Sequence, residues 1–172
     1  MTYILVDVEA DGACAGIFSM ISVGAVVIPH HRDLSNTFKF YGTLKPITEN
    51  WSDDALSSIG VTREQTLAYN DPFETTFLFY EFVRNFERPV FVSDNNGFDW
   101  QFVNYYFWSY CRDNPFGHSS VNMGSLYKGI ERNIFKSFKH LRKTSHSHNP
   151  LDDAMGNAEA FIEMEKEGLI LG

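Results

Sequence analysis

Residues 3–9 read YILVDVE. Tyr3 to Val8 is a short apolar run of the kind that fills a central strand, yet it carries an acid at Asp7 and is closed by another at Glu9. On a strand, side chains two apart share a face, so Asp7 and Glu9 point the same way. An unpaired carboxylate inside an apolar run is costly. Two side by side repel, which raises a pKa unless a cation neutralises them. Hard divalent ions such as Mg²⁺ or Mn²⁺ take oxygen ligands of this kind. The plain alternative is a strand end that meets solvent.

Outward from this strand the chain organises itself. Met20 to Ile28, rich in Val and Ile and ended by Pro29, reads as a second strand, and Thr37 to Leu44 as a third. Short links between them predict an antiparallel meander. Helices are expected at Asp53–Ser58, Thr62–Ala68 and Pro72–Phe86, the last started by Asp71 before Pro72. Pro89–Val92 is a fourth strand, followed by the turn SDNNG and a helix over 97–110. Helix is also expected over 122–135, and a last one from Asn149 to near Gly168. Strands first and strand–helix alternation afterwards make an α/β protein with a mixed sheet flanked by helices.

The chain has 172 residues, 44% hydrophobic and 21% charged, which suits one domain over 1–172 and excludes a disordered chain. Lys and Arg number 14 against 22 Asp and Glu, a net charge of −8. That excludes a nucleic-acid binder cationic over its whole surface; such contact needs a local basic patch or bound metal ions. The 2 cysteines, Cys14 and Cys111, form no CxxC pair, which fits a reducing cytoplasm. The opening MTYILVDVEADG has no basic region and is not read as a signal peptide. The charge-free stretch from Gly12 to Pro29 is broken by glycines and serines, so no membrane span is expected.

Two further segments carry acids. NNGFDW at 95–100 follows the fourth strand directly, where ligand sites of α/β sheets gather. Asp99 falls in the first turn of the next helix, a place carboxylates also occupy for dipole reasons alone. In HNPLDDA at 148–154, Asn149 is the expected N-cap, Pro150 fits N1, and Asp152 falls at N3 as a capping-box residue. His148 and Asp153 then hold the N′ and N4 positions, which usually touch through apolar side chains. Here they bring a candidate general base beside a candidate metal ligand. His146 is a second, weaker candidate whose plain alternative is an exposed loop residue.

In this order the three segments resemble the DEDDh branch of the DnaQ-like 3′–5′ exonuclease superfamily, which has a ribonuclease-H-like fold. Asp7 and Glu9 match its DxE strand; Asn95, Phe98 and Asp99 match its second motif; His148 and Asp153 match its third. The flanking stretches SDNNGFDWQFVNYYFW and FKHLRKTSHSHNPLDDAMGNAEA resemble small single-domain bacterial exoribonucleases of that superfamily. The resemblance implies three antiparallel strands followed by parallel ones. It implies two divalent ions, Mg²⁺ or Mn²⁺, held by Asp7, Glu9, Asp99 and Asp153, with His148 as general base. It implies release of nucleoside 5′-monophosphates from single-stranded 3′ ends, with RNA the first substrate expected and DNA the second. A non-catalytic nucleic-acid-binding module is the third reading, and it predicts damage to a motif position.

Substrate contacts are expected from the loop Ala10-Asp11-Gly12, which in this family meets the terminal sugar. Asp11 is either a ligand of a sugar hydroxyl or an exposed turn residue. Phe98 is the first candidate for stacking a base and Phe18 the second, with Ile59 as an apolar contact to the last base; for Phe18 and Ile59 a place in the core is the alternative. From Lys128 to Lys143, six basic residues face one acid, Glu131, either a phosphate-binding patch or a solvated helix face. The surplus of Phe77, Phe79, Phe82, Phe86 and Trp108 suits either a homodimer interface or an ordinary core.

Overall fold

The computed structural model describes residues 1–171. Strand β1 (Thr2–Ala10) pairs antiparallel with β2 (Met20–Val27), and β2 with β3 (Lys39–Thr43). Three helices follow, α1 (Asp53–Ser58), α2 (Arg63–Leu67) and α3 (Pro72–Arg84). Strand β4 (Pro89–Ser93) then returns parallel to β1, and β5 (Ser120–Asn122) parallel to β4. The sheet order is β3-β2-β1-β4-β5. Helix α4 (Asn96–Tyr106) runs on into a π-helical turn, Phe107–Cys111, while α5 (Met123–Ile130) and α6 (Pro150–Glu163) complete the order. This is the mixed, helix-flanked sheet expected.

The alternation of β1 sorts two cores. Ile4, Val6 and Val8 bury against α3, α4 and the π-helical turn, with Phe79, Phe102, Tyr106 and Phe107. Leu5 lies on the opposite face with Val26, Val92 and the α6 residues Ala154, Ala158 and Phe161. Asp7 and Glu9 follow Leu5 on that second face. The small α6 side chains let its backbone approach the sheet. At Gly24, the β2 partner of Asp7, an added Cβ would sit 2.3 Å from the Pro150 carbonyl oxygen. The N-terminus of α6 is therefore pressed onto the strand beside the two acids.

Several boundaries differ from those expected. Strand β5 is three residues long, too short to show a period, and its last residue Asn122 doubles as the cap of α5, its Oδ1 accepting from Ser125 N–H at 2.6 Å. The helix expected to reach 135 ends at Ile130, and Arg132 takes a left-handed φ of 52°. Helix α6 ends at Glu163 rather than near Gly168. Among the described residues no helix is long and apolar enough to cross a membrane.

Candidate active site

On β1, strand β4 pairs with Thr2 to Leu5 alone, so that edge of β1 is open beyond Leu5. The free Val8 N–H there donates to Asp99 Oδ1 at 3.3 Å, which docks the first turn of α4 beside Asp7 and Glu9. From the other side, α6 brings Asp153. Ligand atoms of Asp7, Glu9 and Asp153 all lie within 4.8 Å of one another. Asp7 and Glu9, with Asp99, His148 and Phe98, line a cleft of about 230 Å³.

The electrostatics are those of buried acids crowded together. Burial, and then Asp99, Glu9 and Asp153, hold Asp7 well above the usual carboxylate range, against a downward pull from Arg142. Burial, with Asp153 and Asp99 beside it, pushes Glu9 up to about 8. Burial pushes Asp99 up to about 7, and its Oδ2 is buried with no hydrogen-bond partner. Converging, mutually repelling oxygens and an orphaned carboxylate oxygen fit hard divalent ions.

The histidines are arranged differently from expectation. His148 N–H donates to Asp153 Oδ2 at 3.1 Å, but its imidazole turns away, with Nδ1 3.8 Å from Glu9 Oε1. The imidazole on Asp153 belongs to His146, whose Nδ1 is 2.8 Å from Oδ1. The two rings meet edge-on at 4.3 Å, and both line the cleft. The cause is the left-handed φ of 57° at His148, which reverses the chain just before α6. Asp152 does not close a capping box. The Asn149 N–H donates instead to Ser147 Oγ, whose hydroxyl donates to Asp152 Oδ2 at 3.2 Å.

Asp11 is neither exposed nor free for a sugar. It is fully buried, paired with Arg63 Nη1 at 2.8 Å, and accepts from Ser19 N–H at 2.5 Å. Burial raises its pKa, opposed by Ser19 and Arg63. Gly12 is required by close approach, since a Cβ there would lie 2.2 Å from the Phe18 ring. Phe18 and Phe98 are half-buried walls of a groove of about 450 Å³ shared with Glu9, Ala10 and Gly12. Ile59 stands apart, in a pocket on another side of Glu9 and His148 with Tyr41 and Tyr69. Phe18 and Ile59 are thus in neither core cluster.

The basic segment is not one helix face. Arg142 is nearly buried in the cleft wall, bonded to Asp94 Oδ2 at 3.1 Å and to Asn157 Oδ1. Lys139 reaches the cleft mouth 3.9 Å from Asp94, while Lys143 pairs with Glu163 and Lys136 with Glu131. Of the aromatic surplus, Phe79 is core, Phe82 and Phe86 pack on it, and Phe77 and Trp108 remain about half exposed. Sequence reasoning missed Arg63, and it counted Arg142 only as a member of the basic patch, because neither sits at a telling spacing from its acid.

No protein-family model matches the chain. The chain is 33% identical over 176 residues to the 3′-5′ DNA exonuclease Cap18 of Escherichia coli, covering 95% of this chain and 91% of that one. Its fold is similar to the nuclease domain of 3′hExo, a DEDDh family member bound to rAMP, with a TM-score of 0.71 at 17% identity over 97% of this chain and 92% of that one. It is also similar to E. coli Exonuclease I in complex with a dT13 oligonucleotide, with a TM-score of 0.78 at 12% identity over 96% of this chain and 41% of that one. With these likenesses, the open edge of β1 and the acids gathered there, the chain belongs to the DEDDh branch of the DnaQ-like 3′–5′ exonucleases.

Proposed function

We propose that the protein shortens single strands from the 3′ end by metal-dependent hydrolysis, releasing nucleoside 5′-monophosphates, with single-stranded DNA its preferred polymer and RNA the second. The observation that carries the reaction is the convergence of Asp7, Glu9 and Asp153 within 4.8 Å on a cleft that also holds Asp99 and His148. DNA is put first for two reasons. The 33% identical relative is a DNA exonuclease. Asp11, the side chain expected at a sugar hydroxyl, is consumed by Arg63 and Ser19.

Two divalent ions, Mg²⁺ or Mn²⁺, would when bound supply positive charge to the phosphate and lower the pKa of water. Asp7, Glu9 and Asp153 would hold them, and Asp99 would complete the set with its unpartnered Oδ2. His148, on its exposed loop, takes the proton from water as the oxygen attacks phosphorus in line. The bond from phosphorus to the 3′ oxygen breaks, and that oxygen takes up a proton to end the shortened strand as a hydroxyl. Phe98 and Phe18 stack the terminal bases in their shared groove. Ile59 offers a further apolar contact, and Lys139 at the cleft mouth faces the backbone phosphates. Self-association through the exposed Phe73, Phe77 and Leu78 of α3 fits the same reading, and sedimentation velocity measures it.

The test is a gel time course on 5′-labelled single-stranded DNA and matched RNA, with Mn²⁺, with Mg²⁺ and with EDTA. The expected result is a ladder descending one nucleotide at a time, faster on DNA and abolished by EDTA. No shortening of either polymer with any metal overturns the reaction; faster RNA loss overturns the ordering of polymers.

A further inference from the structure

A second cleft, of about 580 Å³, lies along the outer side of α4 and the π-helical turn. Trp100, Tyr105 and Trp108 wall it, Gln101 and Asn104 supply amides, and Arg112 stands at its far end. No Asp or Glu lines it, in a chain whose net charge is −8. Among the described residues Arg112 enters no ion pair. The adjacent Asp113 is turned away, accepting from Tyr80 Oη. Trp100 is rooted on Phe91, but Trp108 is 45% exposed.

This cleft and the catalytic cleft both lie along α4. Phe98 lines the catalytic cleft, Gln101 and Tyr105 follow at α-helical spacings of three and four along α4, and Trp108 and Arg112 continue the stripe on the π-helical turn and the residue that ends it. At about 1.5 Å per residue that stripe is about 20 Å long, on the order of six nucleotides at the stacked spacing of 3.4 Å and fewer when extended. The loop between the two clefts is tied to the same helix. Gln101 Nε2 donates to the Ala13 carbonyl and Gln101 Oε1 accepts from Ala15 N–H, each at 3.2 Å. Gly16 packs on the Tyr105 ring. The far end of that loop carries Phe18 into the catalytic groove.

We propose that this cleft holds unpaired bases of the substrate strand several nucleotides 5′ of the end being removed. Trp108 and Tyr105 supply stacking faces, and Arg112 meets a phosphate or the face of a base. Aromatic faces accept any base, so the cleft grips length rather than sequence. The inference rests on the exonuclease reading above and adds a second hold on the same strand. That hold keeps a shortened strand engaged between cleavages.

The experiment compares a thymidylate trinucleotide with a dodecanucleotide, measuring KM and kcat for hydrolysis with Mn²⁺ on the wild-type protein, Trp108→Ala, Trp108→Phe and Arg112→Gln. Stacked at about 3.4 Å per nucleotide, the trinucleotide spans about 10 Å, short of the roughly 15 Å from Phe98 to Trp108. The wild type is expected to favour the dodecanucleotide in KM, and Trp108→Ala to erase about tenfold of that preference. Trp108→Phe, which keeps a ring, restores most of it. Arg112→Gln weakens the preference most at low salt. A wild type that shortens both oligonucleotides with equal KM overturns the inference, as does an unchanged preference in both Trp108→Ala and Arg112→Gln. A Trp108→Ala that turns a dimer into a monomer without touching the preference makes the face a self-association surface and overturns it too. Failure of the exonuclease reading looks different, since the wild type then shortens neither oligonucleotide.

Discussion

Asp7 and Gly24 face each other across β1 and β2, and the missing side chain at Gly24 is what lets the Pro150–Leu151 backbone lie on the sheet at that point. A Cβ there would meet the Pro150 carbonyl oxygen at 2.3 Å, a contact with backbone that cannot rotate away. Gly24→Ala must therefore lift the start of α6, and with it Asp153. Overpacking of this kind costs about 1–3 kcal/mol. The expected outcome is a lower melting temperature, a weaker Mn²⁺-induced rise in it, and loss of most exonuclease activity. A variant with wild-type activity would show that α6 is not held by this contact.

The acid cluster makes stability depend on pH in an unusual direction. Glu9 and Asp99 are raised from 4.5 and 3.8 to about 8 and about 7, and Asp7 is raised as well. Carboxyls raised in the folded state bind more protons there than in the unfolded chain. Their contribution is full below the unfolded values near 4 and is lost as pH climbs through about 7 and 8. Metal-free protein is expected to melt at falling temperature across that window. Divalent ions take the place of those protons, so Mn²⁺ stabilisation should grow over the same window. Melting curves in EDTA and in Mn²⁺, stepped from about pH 5 to about pH 8, check this; a flat or rising EDTA curve would sink it.

How far the sequence reaches is seen in two contrasts. The shared face of Asp7 and Glu9 needs only the two-residue period of a strand, and Asp99 and Asp153 needed only the strand-to-helix order. These are local rules, and in the structure Asp99 lines one cleft with Asp7 and Glu9, while Asp153 comes within 4.8 Å of the same two. The pairing of Asp11 with Arg63 joins positions 52 apart in sequence, through a loop and a five-residue helix, and no local rule reaches it. The exchange of His146 for His148 on Asp153 turns on a single left-handed residue, a conformation uncommon outside glycine and one that periodicity does not reveal. Gly24 was the overlooked signal, because a glycine inside an apolar strand marks close backbone approach.

The two histidines should separate by experiment. His148 is assigned the proton transfer, so His148→Ala is expected to lower kcat about 10²–10⁴-fold while leaving the Mn²⁺-induced thermal shift in place. His146 instead touches, at 2.8 Å, the Asp153 carboxylate to which metal binding is assigned above. Losing such a partner typically costs about 10–100-fold in metal affinity. His146→Ala should raise the Mn²⁺ concentration giving half the maximal rate, with kcat at saturating Mn²⁺ recovering much of its value. The reverse pattern, a kcat defect in His146→Ala that excess metal does not relieve, would move the base from His148 to His146.

The Asp11–Arg63 pair anchors the loop that carries Phe18, and its loss should be felt both in stability and in substrate hold. Asp11 has no exposed surface, its partner's side chain is 14% exposed, and Arg63 also bonds the Thr48 carbonyl and lies over the Trp51 ring. Removing one member of a buried pair leaves the other uncompensated, at about 3–5 kcal/mol. Arg63→Met should therefore destabilise strongly. Asp11→Asn should cost less, because the amide oxygen still accepts from Ser19 N–H. The double variant, with no buried charge left, should be more stable than Arg63→Met alone. In the variants that fold, a loosened loop raises KM for the trinucleotide, where Phe18 supplies a large share of the contact, with a smaller effect on kcat. Additive losses in the double variant, read from denaturant midpoints, would show that the two side chains contribute separately and that the ion pair is not the anchor.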